Sequence, residues 1–253
     1  MLEPAFLRQF LHHAHSFCPN LLTGVQALSL RAKYDSPATP ASAKSAILGE
    51  LQALVSSPSC TPIAQLVAAQ VFLSHGDMTK EALSCVYLGT SMEHMALTVQ
   101  IYLFMDRLDL AKNTLKKMKQ VDEEAILTQL CSVYVHVVTG KSEADDAVHT
   151  MASLSEQYGS SVMLLNLTAV ACMAAENYAE AETALMEASA EGEDVDTLIN
   201  LVVCYQQQGK DTATIGNILN RIRTNYPDHA FVQGLKRVEG AFEREAAKYK
   251  VSA

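Results

Sequence analysis

VMLLNLTAVACMAAENYAEAETALMEASAEG (residues 162–192) and VDTLINLVVCYQQQGKDTATIGNILNRIRTNYP (residues 195–227) read as successive copies of one helical hairpin. Asn166-Leu167 returns as Asn200-Leu201, an offset of 200 − 166 = 34, which is the tetratricopeptide period. In such a hairpin two helices pack antiparallel, with small residues where the backbones come closest. Ala181, Leu185 and Ala188 stand at i, i+4 and i+7 and share one face of the second helix. The matching places in the next copy are Thr214, Ile218 and Arg221, or Ile215, Leu219 and Ile222 if the register moves by one. Glu176-Asn177-Tyr178 and Gly209-Lys210-Asp211 mark the turns, where Gly or Asn supplies a left-handed residue. Pro227 ends the second copy.

Working outward, the same pattern predicts hairpins at roughly 62–89, 92–119, 122–158, 162–190 and 195–225. Ala82, Ala111, Ala147 and Ala181 stand at successive crossings. Their steps, 111 − 82 = 29, 147 − 111 = 36 and 181 − 147 = 34, describe a divergent array with irregular loops. Upstream, helices are expected at Leu21–Lys33 and Ser45–Val55, separated by the loop Ser36–Ser42, with a break at Ser56–Pro62. Residues 1–20 form a separate segment of different character, read as a short amphipathic helix ended by Pro19. Residues 228–250 read as a capping helix with Phe231, Leu235, Val238 and Phe242 in an apolar stripe, since an open array needs its last face covered. The expected fold over 21–253 is an all-α, tetratricopeptide-like, right-handed α-solenoid of antiparallel hairpins with a C-terminal capping helix.

Composition narrows the function. Hydrophobic residues make up 49% and charged residues 19% of 253 residues, with no Trp, so the core is aliphatic. A net charge of −9 argues against a nucleic-acid binder, which needs a basic face for phosphates. Basic residues still gather at Arg107, Lys112, Lys116, Lys117 and Lys119, and between Lys236 and Lys250. Such runs are usually solvated helix faces, and the other reading is contact with an acidic partner or anionic lipid. Glu191, Glu193, Asp194 and Asp196 read as a solvated loop and helix start.

The six cysteines lie far apart without a CxxC pair. Cys131, Cys172 and Cys204 fall in apolar helical runs and read as small buried hydrophobes in a reducing cytosol. No apolar run is long enough to span a bilayer, and the opening twenty residues, interrupted by three histidines, read poorly as a targeting peptide. His12, His13 and His15 lack accompanying carboxylates or cysteines for a metal site. No GxSxG, GxxxxGK[ST], HExxH or GxGxxG motif occurs, so no catalytic residue, cofactor or metal is expected.

MEHMALTVQIYLFMDRLDLAKNTLKKMKQVDEEAILTQL (92–130) closely resembles the epsilon subunit family of the coatomer, the COPI vesicle coat. Leu164-Leu165-Asn166 and Thr197–Val203 (TLINLVV) are similar to that family as well, and the resemblance covers about Gly24 to Ala253. Family members carry further helical hairpins before the part equivalent to Leu21, so the chain reads as an N-terminally shortened or divergent member. The resemblance implies a non-catalytic structural subunit of the membrane coat. It would bind and stabilise the C-terminal domain of the coatomer alpha subunit and through it join the rest of the coat. It would act in Golgi-to-ER retrograde and intra-Golgi vesicle transport, cytoplasmic and peripheral on Golgi membranes and COPI-coated vesicles.

A partner groove of this type is lined by the first helices of the hairpins, where the candidates are Leu103, Met163, Asn166, Val170, Met173, Asn200 and Val203. Apolar members would bury a partner segment and the asparagines would bond its backbone, although each could equally be ordinary core. The alternative is a tetratricopeptide co-chaperone or other peptide-binding adaptor. A carboxylate clamp needs cations on those first helices, and Ile63–Leu73, Thr128–Val138 and Val162–Ala175 contain none. A helical-hairpin transferase subunit would carry Trp-rich signatures, which this chain lacks.

Overall fold

The computed structural model describes residues 19–249 apart from positions 37 and 77. Among the described residues there are thirteen α-helices and no strand. They divide into two compact units that meet in the sequence between Val138 and Thr139. The helix expected over residues 1–20 lies outside the described residues except at its end. There Pro19 opens a helix instead of ending one, as a proline at the first helical position can.

The first unit contains α1 (Pro19–Asp35), α2 (Ala41–Val55), α3 (Pro62–His75), α4 (Thr79–Val86), α5 (Met92–Phe104), α6 (Leu108–Val121) and most of α7 (Ile126–Thr139). Caps in the sequence fix where these helices begin. Thr61 Oγ1 accepts from the Ala64 N–H at 3.3 Å, with Pro62 at the first helical position, and Ser91 Oγ accepts from the His94 N–H at 3.4 Å. One core gathers α1 to α4 around Phe72, Leu51 and Val86, with Leu97 and Ile101 of α5. A second packs Val99 and Tyr102 of α5 on Ala111, Leu115 and Met118 of α6 and on Cys131 and Val135 of α7.

The second unit holds α8 (Lys141–Tyr158), α9 (Val162–Ala174), α10 (Tyr178–Glu191), α11 (Val195–Gln207), α12 (Thr212–Asn225) and α13 (Ala230–Lys248). Ser161 and Asp194 cap α9 and α11 by accepting from N–H groups three positions on. The offset between these caps is 194 − 161 = 33, so the first helices step by one less than the asparagines suggested. The second helices, α10 and α12, start at an offset of 212 − 178 = 34. The difference of one sits in the turn, where Lys210 is inserted between Gly209 and the Asp211 cap.

Three turns share one hydrogen-bond pattern. Arg107 N–H donates to Tyr102 O, Asn177 N–H to Cys172 O and Lys210 N–H to Tyr205 O, at 2.8, 2.8 and 3.0 Å, the Schellman closure of a helix end. The left-handed residue preceding each of these donors is Asp106, Glu176 or Gly209. In the first copy it is therefore Glu176, not Asn177, that takes the strained conformation.

Small residues occupy the crossings as the sequence implied: Ala82, Ala111, Ala147 and Ala181 are all fully buried. The register of the last hairpin is also decided. Ile222 is fully buried with Ile215 and Leu219 packed beside it, while Arg221 is exposed and forms a bidentate pair with Glu193. The places equivalent to Ala181, Leu185 and Ala188 are thus Ile215, Leu219 and Ile222, all at the offset that separates the starts of α10 and α12.

Helix α13 differs from expectation. Val232, outside the expected stripe, is its fully buried residue, with Phe231 packed beside it. Val238 and Phe242 are 64% and 73% exposed. The helix docks by its first turns, and an Arg223–Glu239 ion pair ties it to α12. Beyond Leu235 the stripe runs past the surface it covers.

Candidate functional site

The first helices of the last two hairpins are joined by polar side chains rather than by apolar packing alone. Thr197 Oγ1 donates to Asp194 Oδ2 at 3.1 Å and accepts from Asn166 Nδ2 at 2.7 Å. Asn166 Nδ2 also donates to Val162 O at 2.9 Å, and its Oδ1 accepts from Asn200 Nδ2 at 2.9 Å. Thr197 is buried, so every bond in this run replaces one to water. Asp194, Thr197, Asn166 and Asn200 thus form a continuous ladder that locks α9 to α11.

The ladder changes the part the asparagines play. Asn166 spends both its amide hydrogens and its carbonyl inside the protein, which leaves it no donor for a partner backbone. Asn200 spends one amide hydrogen on Asn166 and keeps its carbonyl. Asp194, expected as a solvated acid at a helix start, is a cap and the anchor of the ladder. Thr197 is not among the candidates read from the sequence, although its spacing of three from Asp194 is that of an N-cap side chain and the third-residue N–H it satisfies. Removing Asn166 as Asn166→Ala is expected to cost about 1 kcal/mol, because Asn200 and Thr197 each lose a partner. A shifted urea midpoint with unchanged slope reads that loss; an unmoved midpoint would mean water replaces the amide.

Around the ladder, Met163, Asn166, Val170 and Met173 follow i, i+3, i+7 and i+10 along α9 and share one face. Met163 is 61% exposed and Val203 on α11 is 40% exposed. Val170 is half-buried, and Met173 packs against the core built by Ala181, Leu185 and Leu201. Six of the seven candidates therefore lie on α9 and α11. Leu103 belongs to the first unit and packs half-buried against that unit's own core.

The helices that carry this face are uncharged by cations. None of α3, α5, α7, α9 and α11 contains a Lys or Arg. Cys131, Cys172 and Cys204 are buried as expected, and burial pushes the Cys131 and Cys172 thiols up to about 12 and about 11. They are unreactive at neutral pH. Among the described residues no group of three or more His, Cys, Asp or Glu is arranged to hold a metal ion, and no helix is long and apolar enough to cross a membrane. His12, His13 and His15 lie outside the described residues.

Known proteins place this architecture. A solved tetratricopeptide repeat protein from Parabacteroides merdae superposes with a TM-score of 0.62 over 90% of this chain and 96% of its own, at 14% identity. That likeness fixes the fold as an all-α, tetratricopeptide-like solenoid. Coatomer subunit epsilon-1 of Arabidopsis thaliana is 36% identical over 226 residues, spanning 88% of this chain and 75% of the plant protein. Coatomer subunit epsilon of Caenorhabditis elegans is 30% identical over 206 residues, spanning 81% of this chain and 70% of the nematode protein. The sequence profile described as Coatomer epsilon subunit matches residues 9–250. With that match running through both units and all thirteen helices, the chain belongs to the coatomer epsilon subunit family.

Proposed function

We propose that the protein is a non-catalytic structural subunit of the COPI coat that binds and stabilises the C-terminal domain of the coatomer alpha subunit. It acts in Golgi-to-ER retrograde and intra-Golgi transport, as a cytoplasmic protein that reaches Golgi membranes and coated vesicles only as a peripheral part of the coat. Family membership over residues 9–250 carries this reading. The face of α9 and α11 supports the choice of partner chemistry. Met163 and Val203 offer exposed apolar surface, Val170 and Met173 extend it inward, and the Asn166–Asn200 bond holds the two helices at fixed spacing. A rigid apolar face of this kind binds by burying a partner's side chains, with little ordering cost on its own side. The co-chaperone alternative is disfavoured by the same helices, which lack the cations that clamp a carboxylate.

Calorimetric titration with the C-terminal domain of the alpha subunit from the same organism tests the proposal. Saturable binding with a negative heat-capacity change is expected, and the Met163→Asp/Val203→Asp double variant is expected to bind at least about tenfold more weakly. Both positions are exposed, so the variant keeps its helix content. No binding by a well-folded chain would overturn the reading.

A further inference from the structure

The second helix of the first hairpin is too short. Helix α4 has 8 residues, whereas the corresponding α6, α10 and α12 have 14 each and α8 has 18. The shortfall of 14 − 8 = 6 positions amounts to about 9 Å of helix. The chain leaves α4 at Val86, crosses Tyr87–Thr90 and enters α5 at once through the Ser91 cap. Beside this short connection the groove between α5 and α6 is open.

The opening is a cavity of about 550 Å³ within the first unit. Met95 and Tyr102 of α5 face it, and Tyr87 and Leu88 form one lip. From α6, Leu110, Asn113, Thr114, Lys117 and Val121 all line it, at i, i+3, i+4, i+7 and i+11. That spacing is one continuous helical face, seated at Leu110 on the core beneath and exposed at Asn113, Lys117 and Val121. Its apolar rim is strongly exposed: Leu88 86%, Val121 66% and Tyr87 62%.

The charge on this helix is opposite to that of the chain. Helix α6 carries Lys112, Lys116, Lys117 and Lys119 against a single acid, Asp109, in a protein of net charge −9. Asp109 is already paired with Arg107 through two contacts of 2.9 Å. Lys117 lines the cavity and is exposed, and Lys116, on the adjoining flank of the helix, is exposed as well. The acids beyond the helix end begin at Asp122, whose Oδ1 is turned onto the N–H groups of Glu124 and Ala125.

We propose that this groove receives an acidic amphipathic helix from a partner protein. Its apolar side chains fill the cavity over Met95 and Tyr102, and its carboxylates meet Lys116 and Lys117. The site lies in the first unit and does not depend on the partner face of α9 and α11.

The probe is a blocked, fluorescein-labelled peptide of about four turns, with Leu at i, i+3, i+4 and i+7 and Glu at the outward positions. Its counterpart carries Lys in place of Glu. Anisotropy titration of the full chain at about 0.1 M salt is expected to give saturable binding of the Glu peptide, at least about fivefold tighter than the Lys peptide. Lys116→Ala/Lys117→Ala is expected to weaken it about threefold to tenfold. Leu88→Ser/Val121→Ser, both exposed and so compatible with folding by circular dichroism, is expected to weaken it at least about tenfold. Equal binding of the two peptides, no binding by the folded chain, or indifference to both double variants would overturn the proposal. So would lysine-dependent sedimentation with phosphatidylserine vesicles without peptide binding, or self-association abolished by Leu88→Ser/Val121→Ser, since the groove would then serve a membrane or a second copy.

Discussion

Phe72→Ala is expected to lower the unfolding free energy by about 3–5 kcal/mol. Phe72 is the largest of the fully buried side chains, 1% exposed in the centre of the core that joins α1, α2, α3 and α4. Around it stand Leu51, Val67, Ala68, Val71 and Val86, side chains fixed on helices that cannot easily collapse into the space a phenyl ring vacates. The loss combines the transfer of the ring to water with the cavity left behind. Set against a typical total of about 5–15 kcal/mol, it brings the protein close to unfolding at ambient temperature. Phe72→Leu keeps most of the volume and is expected to lose only about 1 kcal/mol. Urea unfolding followed by far-ultraviolet circular dichroism measures both. A loss below about 1 kcal/mol for the alanine variant would mean that α3 shifts to fill the gap.

Much of this core was legible in the sequence because close helix packing restricts residue choice. A fully buried alanine at 82, 111, 147 and 181 is what two crossing backbones require, and the repeat spacing found those positions directly. The same spacing could not decide between Arg221 and Ile222. A one-residue shift moves a helical position by about 100°, and only the packing of Ile222 beside Val232 settles which side faces inward. The shorter step of the first helices was hidden because the asparagine pair that suggested a longer one is a contact between neighbouring helices, not a pair of equivalent places. On α13 the apolar stripe at 231, 235, 238 and 242 was visible, yet a pattern does not say where the surface beneath it stops. Val238 and Phe242 lie beyond that edge. Of the candidate residues, the sequence indicated only that Met163, Asn166, Val170 and Met173 belong to the first helix of a hairpin, while the bonds that spend Asn166 come from α11. Tertiary partners of that kind leave no local trace.

Gly89→Ala is expected to cost about 1–3 kcal/mol, a large effect for one methyl group in a loop. Gly89 sits in the short connection between α4 and α5, its N–H donating to Val86 O at 2.9 Å. A Cβ there would stand 2.2 Å from His94 Cδ2 and 2.3 Å from Cγ, closer than any real contact. The ring has nowhere to retreat. His94 is 2% exposed, and its Nδ1 is held 2.8 Å from Ser91 Oγ. Ser91 Oγ is also 2.7 Å from Glu93 Oε2, which can only accept, so the hydroxyl proton points there and His94 Nδ1 is the donor to Ser91. Burial holds the His94 pKa below its ordinary value and keeps the ring neutral, with Nε2 buried and without a hydrogen-bond partner. Swinging the ring away from a methyl group would break the Ser91 bond and disturb the cap of α5. Moving the loop instead would displace Tyr87 and Leu88 from the lip of the groove beside α6. A double-mutant cycle separates the clash from a general loss of loop flexibility. If His94 is the obstacle, Gly89→Ala should cost less in His94→Ala, where the Cβ of residue 94 still stands 2.6 Å away, and should be nearly neutral, or slightly stabilising through the less flexible unfolded chain, in His94→Gly. Equal costs in the wild-type and His94→Gly backgrounds would show that the backbone at position 89, and not His94, is what excludes a side chain.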